Sequence, residues 1–133
     1  MILHKKIALA GVVLAFLSVL LGAFAAHGLK EIASAETLQS FTTGVRYQMY
    51  HALALLFVST MNNSNKAIKR AYYFFLIGVI LFSGSIYALT VASVMDTSIG
   101  PFALLTPLGG LCLLIGWGLL LIALLKMSQS KSK

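Results

Sequence analysis

Four runs of apolar residues, each near the length at which a helix crosses a bilayer, leave this 133-residue chain few ways to fold. Hydrocarbon offers no water to backbone amides, so a run of roughly 20 apolar residues must satisfy its own as a helix. The runs cover about residues 7–26, 43–61, 71–95 and 104–125, the second broken by several polar residues. With 59% of its residues hydrophobic and 10% charged, a domain this small has too little interior to hide its apolar surface from water. The expected fold class is therefore all-α, an integral membrane four-helix bundle forming one transmembrane domain over residues 1–133. Turn-forming stretches separate the runs at Gly28 to Ser40, at Asn62-Asn63-Ser64-Asn65-Lys66 and at Asp96 to Pro101. Gly28 directly after His27 suits a left-handed residue ending the first helix.

The cations set an expected orientation. Eight of the ten (Lys5, Lys6, Lys66, Lys69, Arg70, Lys126, Lys131 and Lys133) flank one side of the runs, and only Lys30 and Arg46 fall on the other. Short cytoplasmic loops hold the positive excess, so both termini are expected in the cytoplasm. A net charge of +7 borne at span edges fits anionic head groups, not a water-facing patch for nucleic acid, and membrane lipids are the partners it implies. Lys5-Lys6, an apolar stretch and Ala23-Phe24-Ala25 imitate a cleavable signal peptide. The first run is too long for an h-region of about 7–15 residues and is expected to stay as a span. The single cysteine, Cys112, forms no intramolecular disulfide and says nothing of compartment.

Helix pairing in lipid depends on small residues that let backbones approach. Gly11, Ala15, Ser18, Gly22 and Ala26 make one such stripe, Gly84, Ala88 and Ala92 a second, and Gly109, Cys112 and Gly116 a third. Packing within one bundle and pairing in a homo-oligomer both predict these stripes.

Polar residues are expected to gather toward the outer side of all four spans. They comprise His27 at the end of the first, Arg46, Tyr47, Gln48 and His51 in the second, Ser83 and Tyr87 in the third, and Thr106 in the fourth. Such groups are costly in lipid and normally turn inward to find partners. This set is the candidate ligand-binding site, for a small ligand, a lipid head group or a partner protein. A hydrogen-bond cluster that fixes helix register, with Arg46 paired to Glu31, Glu36 or lipid phosphate, is the structural alternative.

Several chemistries are disfavoured. Small multidrug exporters are similar in size and span count, yet they need a carboxylate inside a span, and here Glu31, Glu36 and Asp96 fall in expected loops. Haem ligation by His27 and His51 fails on depth, because His51 would lie about 12 Å below the start of the second span. No ligand spacing supports a metal, no cofactor is implied, and Phe82-Ser83-Gly84-Ser85 lies in a helix where a nucleophile elbow needs a strand-to-helix turn. Trp117 is expected to pack or face lipid. The expected function is non-enzymatic binding, with a small oligomeric transporter or channel as the alternative.

With these residues in view the chain resembles the YgdD/YwdK-like family of small bacterial membrane proteins, a domain-of-unknown-function group. The resemblance rests on Gly22-Ala23-Phe24-Ala25-Ala26-His27-Gly28-Leu29, Tyr47-Gln48-Met49-Tyr50-His51-Ala52-Leu53, Phe82-Ser83-Gly84-Ser85-Ile86-Tyr87 and Thr106-Pro107-Leu108-Gly109-Gly110 with Gly116-Trp117. It implies four spans and a bacterial plasma membrane location, and no reaction, substrate or cofactor.

Overall fold

The computed structural model describes residues 4–61 and 65–130. Among them all regular structure is helical: α1 (Lys5–Ile32), α2 (Ala35–Val58), α3 (Lys66–Val94) and α4 (Leu105–Ser130), the last entered through a 3₁₀ turn at Gly100–Leu104. The expected turn at Asn62-Asn63-Ser64 and the cations Lys131 and Lys133 lie outside the described residues.

Local chemistry explains the boundaries. Ser34 caps α2, its Oγ accepting from the Thr37 amide at 3.1 Å, and Glu36 places a negative charge in the first turn, where the helix dipole favours it. Asn65 caps α3 in the same way, its side-chain oxygen accepting from the Ala67 amide at 2.9 Å. At the far end of α3, Asp96 takes a left-handed conformation (φ 58°). The Thr97 amide then reaches back to the Ala92 carbonyl at 2.9 Å and the Asp96 amide to that of Ser93 at 3.2 Å. This is the double bond pattern that closes a helix C-terminus, with aspartate where glycine is usual. Pro101 then starts the 3₁₀ turn, where its missing N–H costs nothing.

Three boundaries differ from expectation. The first helix does not stop at His27: a π-helical turn at Ala25–Leu29 carries it through Gly28 to Ile32. Gly28 is not left-handed; a Cβ there would fall 2.9 Å from the Phe24 ring, so the glycine makes room for that ring. The second helix starts at Ala35, not near residue 43, and the loop expected over 28–40 shrinks to Ala33 and Ser34. Glu36, Gln39 and Ser40 are exposed on a capped helix, and their polarity imitated a loop. The third helix also begins earlier, at Lys66, because Asn65 caps it.

The helices pack in sequence, α1 on α2, α2 on α3 and α3 on α4. Ile7, Val58, Met61, Ile68, Ala71, Leu120 and Ala123 share one buried cluster, which puts Lys5 and Lys126 at the same end of the bundle. A smaller cluster of Ala25, Leu29, Phe41 and Val45 holds α1 to α2 near the opposite end. Close approach depends on glycines, and at two of them a Cβ would lie under 3 Å from a neighbouring helix's backbone. A Cβ on Gly11 would sit 2.9 Å from the Ala52 carbonyl oxygen of α2, and one on Gly109 would sit 2.7 Å from the Cα of Phe82 on α3. The first and third small stripes thus carry packing contacts, whereas in the second Gly84 meets nothing within 4 Å and only Ala92 is buried.

Outward surfaces are apolar, with Phe16 65% and Leu114 70% exposed, as a lipid-facing surface requires. Helices α1, α3 and α4 are each long and apolar enough to cross a membrane. The 24 residues of α2 give it a length of about 36 Å, but it carries Glu36, Gln39, Arg46, Gln48 and His51.

Substituting Gly109 with alanine forces two backbones apart and is expected to cost roughly 1–3 kcal/mol. The same change at Gly84 should lie within about 0.5 kcal/mol of neutral. Unfolding midpoints of the two purified variants in detergent check the difference.

Candidate functional site

Three helices meet at Gln48. Its Nε2 donates to the Leu14 carbonyl of α1 at 2.9 Å, and its Oε1 accepts from the Tyr87 hydroxyl of α3 at 2.6 Å. A carbonyl can only accept, so this partner fixes which end of the amide points where. Ser83 adds a second tie from α3, donating to the Gly44 carbonyl at 2.7 Å. Thr106 and Ser85 share a 2.6 Å hydroxyl contact between α4 and α3; since Ser85 also reaches the Phe82 carbonyl at 2.9 Å, Thr106 is the donor. Gln48, Ser83 and Ser85 are buried, and each is satisfied by a neighbouring helix or its own.

His51 pairs with Trp117, which was expected to pack or face lipid. The Trp117 indole donates to His51 Nε2 at 3.0 Å, and His51 Nδ1 lies 2.7 Å from the Tyr47 carbonyl. An indole N–H only donates, so Nε2 must be the bare nitrogen and Nδ1 carries the proton toward the carbonyl. The ring is neutral in this arrangement. Phe75 packs against both partners, with ring centroids 5.5 Å from His51 and 5.0 Å from Trp117. His51 lies sixteen residues into α2, about 24 Å from its start, in the half nearer the chain termini. The polar groups are therefore not confined to one end, as had been expected.

Two expected members stand apart. His27 is exposed on α1 and makes no hydrogen bond to the others among the described residues. Arg46 is exposed too, and no ion pair with Glu31 or Glu36 forms among the described residues. Arg46 and Glu36 line different grooves and stand ten residues apart on α2, about 15 Å along its axis. The expectation that all these groups turn inward together thus fails for His27 and Arg46.

The structure shows a lateral groove between α2 and α4 floored by Phe82 of α3. Its upper part, about 460 Å³, is lined by Glu36, Thr37, Ser40, Thr43, Thr90 and Thr106 together with Ile86 and Leu89. Its lower part, about 670 Å³, is lined by Tyr47, His51, Pro107, Gly110, Leu111, Leu113, Leu114 and Trp117. Phe82 borders both, so the two adjoin at its ring. Once α2 begins at Ala35, the wall follows from spacing: Glu36, Ser40, Thr43, Tyr47 and His51 recur every three or four residues along one strip. Trp117 could have been found by a hydrogen-bond inventory, since a deep indole needs an acceptor and a deep imidazole needs a donor.

Four antiparallel, outwardly apolar helices with a lateral groove define a helical membrane protein. The family described as "Protein of unknown function (DUF423)" matches residues 21–110, and the chain belongs to it. It is 44% identical over 103 residues to a UPF0382 membrane protein of Haemophilus influenzae, covering 77% of this chain and 79% of that one. The Bacillus subtilis membrane protein YwdK is 38% identical over 125 residues, with 92% and 98% covered. The Escherichia coli inner membrane protein YgdD is 33% identical over 118 residues, with 86% and 85% covered. No solved structure matches.

Removing the central amide by Gln48→Leu is expected to cost roughly 1–2 kcal/mol, as hydrogen bonds between membrane helices do. A double-mutant cycle with Tyr87→Phe should give a coupling of about 1 kcal/mol. Additive effects in reversible detergent unfolding would deny the bond that role.

Proposed function

We propose that this is a non-enzymatic, four-span protein of the bacterial plasma membrane that holds an amphiphile in the groove between α2 and α4. The carrying observation is the groove's polarity gradient. Hydroxyls and one carboxylate line the end next to the α1–α2 turn, and aromatic and aliphatic side chains line the part below Phe82. A molecule with a polar head and an apolar tail matches that order. A head group with hydroxyl or amine donors suits Glu36 and the threonines, because a carboxylate accepts hydrogen bonds. The tail would lie along Tyr47, Phe82 and Trp117, where burial of apolar surface supplies the affinity.

Holding is favoured over passage. Below Trp117 apolar packing of Leu55, Ile68, Ala71 and Phe75 closes the bundle among the described residues, which disfavours a polar path toward the terminal end. Lys5, Lys6, Lys66, Lys69, Arg70 and Lys126 flank that end, so we place it in the cytoplasm and the hydroxyl-lined end outside.

Trp117 is the chain's single tryptophan and lines the groove, so a brominated single-chain amphiphile should quench its fluorescence in a saturable, one-to-one manner. Gly110→Leu places a side chain over Phe82, in space where a Cβ finds no atom closer than 3.9 Å, and should abolish the saturable phase while the protein stays folded. Quenching that is linear and identical in both proteins would sink the reading. The orientation is checked separately: a C-terminal green fluorescent fusion should glow in cells, whereas an alkaline phosphatase fusion at the same point should be inactive.

A further inference from the structure

A second groove lies on the opposite side of α2, against α1, and its chemistry differs in kind. It encloses about 380 Å³ and is lined by Gly22, Ala25, Ala26 and Lys30 of α1 and by Leu38, Thr42, Val45 and Arg46 of α2. Both cations found away from the terminal end are here, and neither acid of this hairpin lines the trough: Glu36 faces the other groove and Glu31 is exposed elsewhere. We propose that this trough binds one anionic phospholipid, with its phosphate between Lys30 and Arg46 and an acyl chain along Gly22 and Ala26.

Three observations carry the assignment. Helical side chains lean toward the N-terminus of their own helix, and α1 and α2 run antiparallel. Lys30 therefore leans down from the turn and Arg46 leans up from mid-helix, so the two converge on Ala26 from opposite directions. The π-helical turn at Ala25–Leu29 supplies the second: its wider spiral sets Lys30 above Ala25, on the groove side, where a regular helix would carry it further round. Third, the small residues leave a trough that larger ones would fill, next to two charges that no protein carboxylate neutralises among the described residues. Arginine and lysine held at the edge of a bilayer, over an apolar floor, match a lipid phosphate.

Native mass spectrometry of the full chain, titrated with phosphatidylglycerol or phosphatidylcholine, tests this. One phosphatidylglycerol should bind in preference to phosphatidylcholine. Lys30→Gln or Arg46→Gln should each weaken it roughly fivefold, and the pair about 25-fold. Ala26→Leu, which keeps both charges and projects from an exposed position, should also weaken it, whereas Lys69→Gln at the other end should leave it unchanged. Equal binding of the two lipids overturns the proposal, as does a Lys69→Gln loss equal to that of Arg46→Gln, which would mean surface charge alone. Displacement of the lipid by millimolar inorganic phosphate overturns it in favour of a free anion.

Discussion

Gln48 sits where three helices meet, and a primary amide at that depth has no water to turn to. Its donor end takes the Leu14 carbonyl and its acceptor end takes the Tyr87 hydroxyl, so one side chain sets the depth of α1 and α3 relative to α2. Slide any of the three by one turn and at least one of these groups is left unpaired in a medium that penalises it. Ser83 and Gly44 repeat the tie four residues' rise, about 6 Å, away. Helices pressed together only by apolar side chains in lipid would have far less reason to prefer one register.

The fourth helix is held differently, and the groove follows from that. It docks on α3, where Gly109 allows the backbones to touch at Phe82, and not on α2. Among the described residues its one hydrogen bond to α2 is that between Trp117 and His51, low in the bundle. Above that contact α2 and α4 stand apart, and the strip from Glu36 to Tyr47 is left facing an opening. A buried imidazole and a deep indole satisfy each other and at the same time close the groove's lower end.

Charge is sorted by the same geometry. Glu36 borders one side of α2 and Arg46 the other, so each groove presents one sign of charge and the two never neutralise each other. Ten residues apart on one helix, the carboxylate and the guanidinium are separated by about 15 Å along its axis and about 80° around it, too far to pair directly.

Residue types and their order settled which parts of the chain are helical, that its outward surfaces suit lipid, that Gly11 and Gly109 lie at contacts, and that Gln48, Ser83, Tyr87 and Thr106 need partners, because each follows from hydropathy, size or hydrogen-bonding capacity within one segment. Helix ends were less legible: Ser34 and Asn65 act as caps through single side-chain bonds, and polar residues on an exposed helical turn look like loop. The partners themselves, Leu14 for Gln48 and Trp117 for His51, were decided only in three dimensions. So was the outward turn of His27 and Arg46, and so was the separation of α2 from α4. Those depend on which helix packs against which, a choice made by backbone approach and hydrogen-bond geometry between segments far apart in the chain, about which periodicity within any one segment is silent.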